Sequence, residues 1–298
     1  MGLTALVLGS AAGGSFPQWN CQCPVCRLAW TGDSRVRFRT QASLAVTAGD
    51  GRWTLLNASP DLASQIRATP ALHPRGAVRG TPIEAVVLTG AEIDQIAGLL
   101  HLREAAAFSV FATTQSHDAL QRNDMFRALT SVTWGTIVPA RAFELPGGIE
   151  AELFPVPGKV PLYLEGDSPD PAAADGGNVG IELRYGGKKL LFVPGAADVN
   201  EALSARLARA DAVLFDGTLF TDDEMIRTET GVKTGRRMGH MPIEGEGGTL
   251  QRLAGLKKRK IFIHINNTNP ILVDGSPERR RVAAEGWEVA EDGMEIAL

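Results

Sequence analysis

Three cysteines are all that the 298 residues contain, and they are crowded between Cys21 and Cys26. An odd number packed so closely makes a poor disulfide framework, so a stapled miniprotein is excluded and a metal clip is favoured. Also missing is any run near the roughly 20 apolar residues that a membrane-spanning helix needs. The apolar opening, Met1 to Leu8, lacks a positive n-region and stops at Gly9-Ser10. It therefore reads as a first core strand, and reduced thiols then fit a cytoplasmic protein. Thirty Lys and Arg against 34 Asp and Glu give a formal charge of -4, with no basic stripe or charged tail, which argues against nucleic acid as the main partner. No fixed-period repeat, heptad pattern or long linker interrupts the chain, so one domain over 1–298 is expected.

What is present is a globular composition, 44% apolar and 21% charged, with 33 Gly and 17 Pro falling between short apolar runs. Such punctuation belongs to an α/β or β-rich protein, not a helical bundle. Strands are expected at 5–8, 44–47, 53–57, 85–88, 109–112, 149–156, 212–215, 260–265 and 287–290. A hairpin is expected where 180–185 joins 189–193 through Gly186-Gly187. Helices are expected from the Ser59-Pro60-Asp61 start signal to about 67, and over 93–106, 116–129, 199–210 and 244–254. Hairpins mixed with strand-then-helix units predict an α/β fold of two sheets packed face to face and covered by helices, a four-layer αββα sandwich. Residues 168–176, rich in Pro and Asp, read as an exposed excursion.

Chemistry concentrates in three places. Cys21-Gln22-Cys23-Pro24-Val25-Cys26 follows the first strand, and thiolates at i, i+2 and i+5 on a curling loop can converge on one tetrahedral ion about 2.3 Å from each sulfur. A fourth ligand must come from elsewhere. In the segment 88–100, Glu92 and Asp94 fall between a strand end and a helix start, where α/β proteins place sites. Acidic residues there also simply complement a helix dipole. His240 stands in Met238-Gly239-His240-Met241-Pro242. His264 ends an apolar strand beside Asn266, Asn267 and Asn269, a group costly to bury without partners. His73, His101 and His117 lie in a loop or near helix ends and are weaker candidates for ligation.

Together these segments resemble the metallo-β-lactamase superfamily and, within it, the coenzyme PQQ synthesis protein B family. The resemblance runs the whole length: Gly9-Ser10-Ala11-Ala12-Gly13-Gly14 with the Cys cluster, the Glu92-Ile93-Asp94 turn, Pro155-Val156-Pro157-Gly158, Gly239-His240-Met241-Pro242, His264-Ile265-Asn266-Asn267-Thr268-Asn269-Pro270 and the ending from Gly286 to Met294. A neighbouring branch of phosphodiesterases is similar in carrying the same Cys clip.

The superfamily motif His-x-His-x-Asp-His, aligned on Asp94, reads Gly90-Ala91-Glu92-Ile93-Asp94-Gln95 here, so three histidine positions are lost. A further histidine position holds Lys159, and Asp198 is the nearest carboxylate to the usual bridging aspartate. His264 matches the late strand-end ligand. The resemblance implies a structural Zn2+ held by Cys21, Cys23 and Cys26, with Asn267 at the fourth ligand's position.

A binuclear zinc hydrolase needs several neutral imidazoles, and a lysine ammonium would repel its second cation. One mononuclear centre remains, built on Asp94 and His264 with His240, Glu92, Asp198 or Asp216 as further candidates. Two His with a carboxylate suits Fe2+. The resemblance implies an iron- and O2-dependent hydroxylation of the tyrosine ring in a crosslinked Glu-Tyr intermediate cut from a precursor peptide, on the route to pyrroloquinoline quinone (PQQ), alongside other proteins of that pathway and no membrane. The catalytic candidates are His240, Asp94, His264 and Glu92, His240 being a ligand or a proton donor. Lys159, Lys233, Arg236, Arg237 and Gln95 are candidates for binding a substrate with several carboxylates. Two other readings remain open: a non-catalytic carrier for PQQ or its precursor, and a metal-dependent hydrolase.

Overall fold

Alternation along the strands decides the architecture. In the runs 44–46, 190–193, 212–215 and 261–263 every residue is buried, but successive side chains enter different cores. Leu190, Phe192, Ala212, Leu214 and Ile261 face a central core, whereas Leu191, Val193, Val213, Phe215 and Phe262 face an outer one. Leu44 and Val46 meet the central core from the other side while Ala45 turns to a third. Strands buried on both faces read as unbroken apolar runs, and three cores separated by two sheets make four layers.

The computed structural model describes residues 2–76, 78–104, 107–159 and 177–298. Its strands are β1 Thr4–Gly9, β2 Ser43–Thr47, β3 Trp53–Leu56, β4 Ile83–Val87, β5 Phe108–Thr113, β6 Val132–Ile137, β7 Ala142–Leu145, β8 Ile149–Pro155, β9 Val179–Tyr185, β10 Lys188–Val193, β11 Ala212–Asp216, β12 Arg259–Ile263, β13 Trp287–Val289 and β14 Glu295–Ala297. Two seven-stranded sheets result, in the orders β14-β1-β2-β3-β4-β5-β6 and β13-β12-β11-β10-β9-β8-β7. The α-helices are α1 Pro24–Trp30, α2 Leu62–Ala68, α3 Ile93–Ile96, α4 Thr114–Gln121, α5 Glu201–Leu207, α6 Glu224–Arg227, α7 Thr249–Arg252 and α8 Pro277–Ala284. Leu62, Ile96 and Leu120 cover the first sheet's outer face; Val25, Leu203, Leu250 and Val282 cover the second's. The four-layer αββα fold expected from the sequence is what forms.

The expected hairpin is present: Tyr185 pairs with Lys188 across Gly186 and Gly187, whose φ of 57° and 78° suit the two-residue turn that matches strand twist. Four expected helices are shorter, the 199–210 pattern giving only α5 behind its Asn200 cap. The 93–106 pattern yields α3 and then a 3₁₀ turn, Ala97–Leu102. Gly98 causes the change, since its N–H donates to Ala58 O at 2.8 Å and a Cβ there would lie 2.1 Å from Ser59 O. The 116–129 pattern breaks at Asn123, whose side chain accepts from Met125 N and starts a separate 3₁₀ turn. The 244–254 pattern contracts to α7 behind Gly245 and Gly247, both at positive φ. The expected excursion at 168–176 lies outside the described residues.

Candidate metal centres at the strand ends

β10, β11, β12 and β13 run parallel, so their C-terminal ends open onto one edge, the place where α/β sheets gather functional loops. β11 ends at Asp216, β12 delivers His264, and β4 leads through Thr89 to Glu92 and Asp94. A cavity of about 680 Å³ sits over these ends. Its wall includes Glu92, Asp94, Gln95, Lys159, Lys233, His240 and His264, residues far apart in the chain.

His264 Nε2 lies 2.8 Å from Asp94 Oδ2, and both side chains are almost buried. His240 stacks against His264, ring centroids 5.2 Å apart, and its Nδ1 lies 2.7 Å from Asp216 Oδ2. Asp216 is fully buried and also accepts from Ala196 N at 2.8 Å, Thr218 N at 3.0 Å and Thr218 Oγ1 at 2.6 Å. Together with the His240 bond this uses about all the lone-pair positions that a carboxylate offers. Burial alone would raise the Asp94 and Asp216 carboxyls and lower His264, but the facing imidazoles and carboxylates win: both acids are held low and His264 high. His264 holds φ at 59°, a left-handed conformation that costs a non-glycine residue on the order of 1 kcal/mol. Ile265 N and Asn266 N, donating to Ser10 O at 2.9 Å and Thr218 O at 3.0 Å, hold the chain immediately after it.

The GHM segment is fixed by Met241 N donating to Ala196 O at 2.7 Å and His240 N donating to Gly235 O at 2.9 Å. Gly239 is at φ 85°, and a Cβ there would come 2.9 Å from Lys159 Cγ, so glycine allows the lysine stem to cross this loop into the wall. Gln95 borders the cavity, yet its Oε1 accepts from Glu92 N at 3.1 Å, the return half of a capping box. Its amide oxygen is therefore committed to shaping the turn that presents Asp94.

Three sequence candidates are elsewhere. Asp198 is half-exposed and accepts from Arg252 Nη2 at 2.7 Å; the strand-end carboxylate near Ala196 is supplied by Asp216 from the neighbouring strand. Arg236 reaches away, with Nη2 donating to Glu246 O at 2.8 Å and its backbone N to Asp222 Oδ1. Neither belongs to the described wall, nor does Arg237. Sequence reasoning assigned no role to Thr218, although Asp216-Gly217-Thr218 at a strand end was the available signal. It also passed over Asn178, whose Nδ2 donates to Gly195 O at 3.0 Å beneath His240.

The clip begins at Cys23, the N-cap of α1, with Pro24 in the first turn where a missing N–H costs nothing. Cys26 N donates to Cys23 Sγ at 3.4 Å, so the helix start brings those sulfurs together. The three sulfurs lie within 4.8 Å of one another, close to the roughly 3.8 Å spacing of thiolates on one tetrahedral zinc. Asn267 enters from the opposite end of the chain: its Nδ2 is 3.1 Å from Cys21 Sγ, 3.3 Å from Cys26 Sγ and 3.9 Å from Cys23 Sγ. Its amide thus occupies the open apex, and a half-turn of the amide presents oxygen there instead. The Cys23 thiol hydrogen-bonds to Cys26 and lowers that thiol, while the same contact and burial raise Cys23. Binding of a metal by the three sulfurs would displace the thiol protons.

A beta-lactamase superfamily domain model matches residues 52–265. The coenzyme PQQ synthesis protein B of Methylobacterium nodulans is 51% identical over 299 residues, covering 99% of this chain and 100% of that protein. The chain belongs to the coenzyme PQQ synthesis protein B family. A crystal structure of zinc-bound PqqB from Methylobacterium extorquens, 49% identical, superposes with a TM-score of 0.97 over 99% of this chain and 100% of that one. A diphosphatase of the PhnP family, at 20% identity and TM-score 0.66, shares the fold. Family membership therefore rests on near-complete coverage at half identity, while the wider superfamily relation rests on the domain model over residues 52–265.

Proposed function

We propose that this protein acts in PQQ biosynthesis as an Fe2+- and O2-dependent hydroxylase of the tyrosine ring in a crosslinked Glu-Tyr intermediate. The observation that carries the reading is the buried pair His264 Nε2 and Asp94 Oδ2, 2.8 Å apart on the cavity floor beside His240. Imidazole and carboxylate donors gathered without the superfamily's histidine cluster suit one borderline ion better than two zinc ions. His264 and Asp94 would hold it, with Glu92 completing the set and His240 left beside it. A bound Fe2+ would supply the O2 chemistry that the side chains alone lack.

The chain's own groups define the rest. Lys159 and Lys233 on the wall place positive charge where a polycarboxylate substrate would lie. His240, anchored on buried Asp216, is placed to hand a proton into the cleft. The fit of the clip is equally direct: Cys21, Cys23, Cys26 and Asn267 would hold a structural Zn2+, keeping the segment behind His264 in place.

The test is turnover of the Glu-Tyr substrate by protein reloaded anaerobically with Fe2+, then given ¹⁸O-labelled O2 and an external reductant. Label in a hydroxylated product is expected. Unlabelled or unchanged substrate with every metal tried would remove the hydroxylase reading and favour a carrier.

A further inference from the structure

We propose that Thr218 is a positioning residue that transmits the charge of buried Asp216 to His264, holding a hydrogen on Nδ1 so that Nε2, which faces Asp94 Oδ2 at 2.8 Å, is the nitrogen that would exchange its proton for a metal. The hydrogen-bond inventory forces the direction of each bond. Thr218 is buried, and its Oγ1 lies 2.6 Å from Asp216 Oδ1, 3.0 Å from His264 O, 2.9 Å from His264 Nδ1 and 3.1 Å from His240 Nδ1. A hydroxyl has one proton, and the short contact with a charged acceptor claims it. Oγ1 can then only accept from an imidazole, so the proton of the His264–Thr218 contact sits on His264 Nδ1.

His240 is oriented by a different group. Its Nδ1 faces Asp216 Oδ2 at 2.7 Å, an ionised acceptor that has nothing to donate, so Nδ1 carries hydrogen there without help from Thr218. One buried carboxylate thus sets both rings, directly on His240 and through one hydroxyl on His264. With all its hydrogen bonds in place, Asp216 is an anchor for the two rings and not a ligand, although it lies within ligand distance of both. Such outer partners of metal-binding histidines fix tautomer and ring orientation.

His240 serves as an internal control, because removing the hydroxyl should disturb one ring only. The experiment uses ¹⁵N-histidine-labelled protein with the clip loaded with zinc, recording long-range ¹H–¹⁵N spectra before and after a second equivalent of zinc, for wild type, Thr218→Val and Thr218→Ser. Both histidines of the wild type are expected to show hydrogen on Nδ1 once zinc is bound. Thr218→Val should lose that pattern at His264 alone and weaken the second zinc by about 10- to 100-fold, with Thr218→Ser restoring both.

An Nδ1 lone pair at His264 in the wild type would overturn the proposal even if the valine variant failed to fold. So would a Thr218→Val protein with unchanged spectra and affinity. The affinity arm rests on the cleft taking a metal. Should wild type bind no second zinc, that reading fails by itself, and the proposal is then read from the Nδ1 hydrogen of His264 in wild type against Thr218→Val in the same metal-free protein.

Discussion

The clip and the cleft are joined by a single short segment, with His264 serving one and Asn267 the other, yet they are opposites as donor sets. The clip offers three sulfurs, two of them fully withdrawn, and closes its fourth apex with a side chain. The cleft offers imidazole and carboxylate and opens on a cavity of about 680 Å³. Closed thiolate sites hold metal for structure, whereas open mixed sites leave positions for chemistry. The lesson is that position along the fold does not set a site's role; donor type and access do. The strand end merely delivers both.

His264→Ala should reduce Fe2+-dependent turnover by about 100-fold or more, since even outer partners of metal ligands cost 10- to 100-fold. Equal turnover by the variant would take His264 out of the site. Cys26→Ser should do the reverse of a cleft mutation: loss of the tightly held zinc and several kcal/mol of stability, read by thermal unfolding with metal analysis. A variant keeping one tight zinc and its full melting temperature would make the clip ornamental.

Chelation sharpens the contrast with no mutation. Brief EDTA treatment should empty the cleft and leave one zinc per chain with an unchanged circular dichroism spectrum, because the thiolate site is softer and more enclosed. Simultaneous loss of both metals would erase the proposed distinction.

The smallest effect lies behind the shared segment. Glu224, buried and accepting from Phe220 N and Thr268 Oγ1, has its carboxyl raised by burial to about 7. Its folded value exceeds its unfolded one, so the native state is favoured when the group is protonated, and that stabilisation is lost as pH rises through about 7. Glu224→Gln should therefore be the more stable protein at pH 8 by on the order of 2 kcal/mol, with the gap closing towards pH 5. A gap that does not change with pH would show that the burial cost lies elsewhere.

Much of the fold was legible because double burial writes unbroken apolar runs, as at 190–193 and 212–215, and because Gly186-Gly187 leaves few choices of turn. Three of the four edge strands were not: β14 is only three residues long, and β6 and β7 alternate through exposed and half-buried positions, including Thr133 and Glu144, and carry no comparable run. Helix α1 hid inside the clip, where Pro24 reads equally as a loop former and as a first-turn residue. At the site, Asp94, His240 and His264 could be named from residue type and strand-end position. Thr218 could not, because a threonine after a strand has many uses, and its four contacts come from elements that meet only in three dimensions. Asp198 misled for the converse reason: adjacency to a strand end does not say which way a loop residue turns.

The most direct test of two unlike sites on one segment is anomalous diffraction at the zinc and iron edges from crystals of protein loaded anaerobically with Fe2+. The expected result is one zinc peak among Cys21, Cys23, Cys26 and Asn267 and one iron peak against His264 and Asp94. Two zinc peaks in the cleft, or none at the clip, would contradict it.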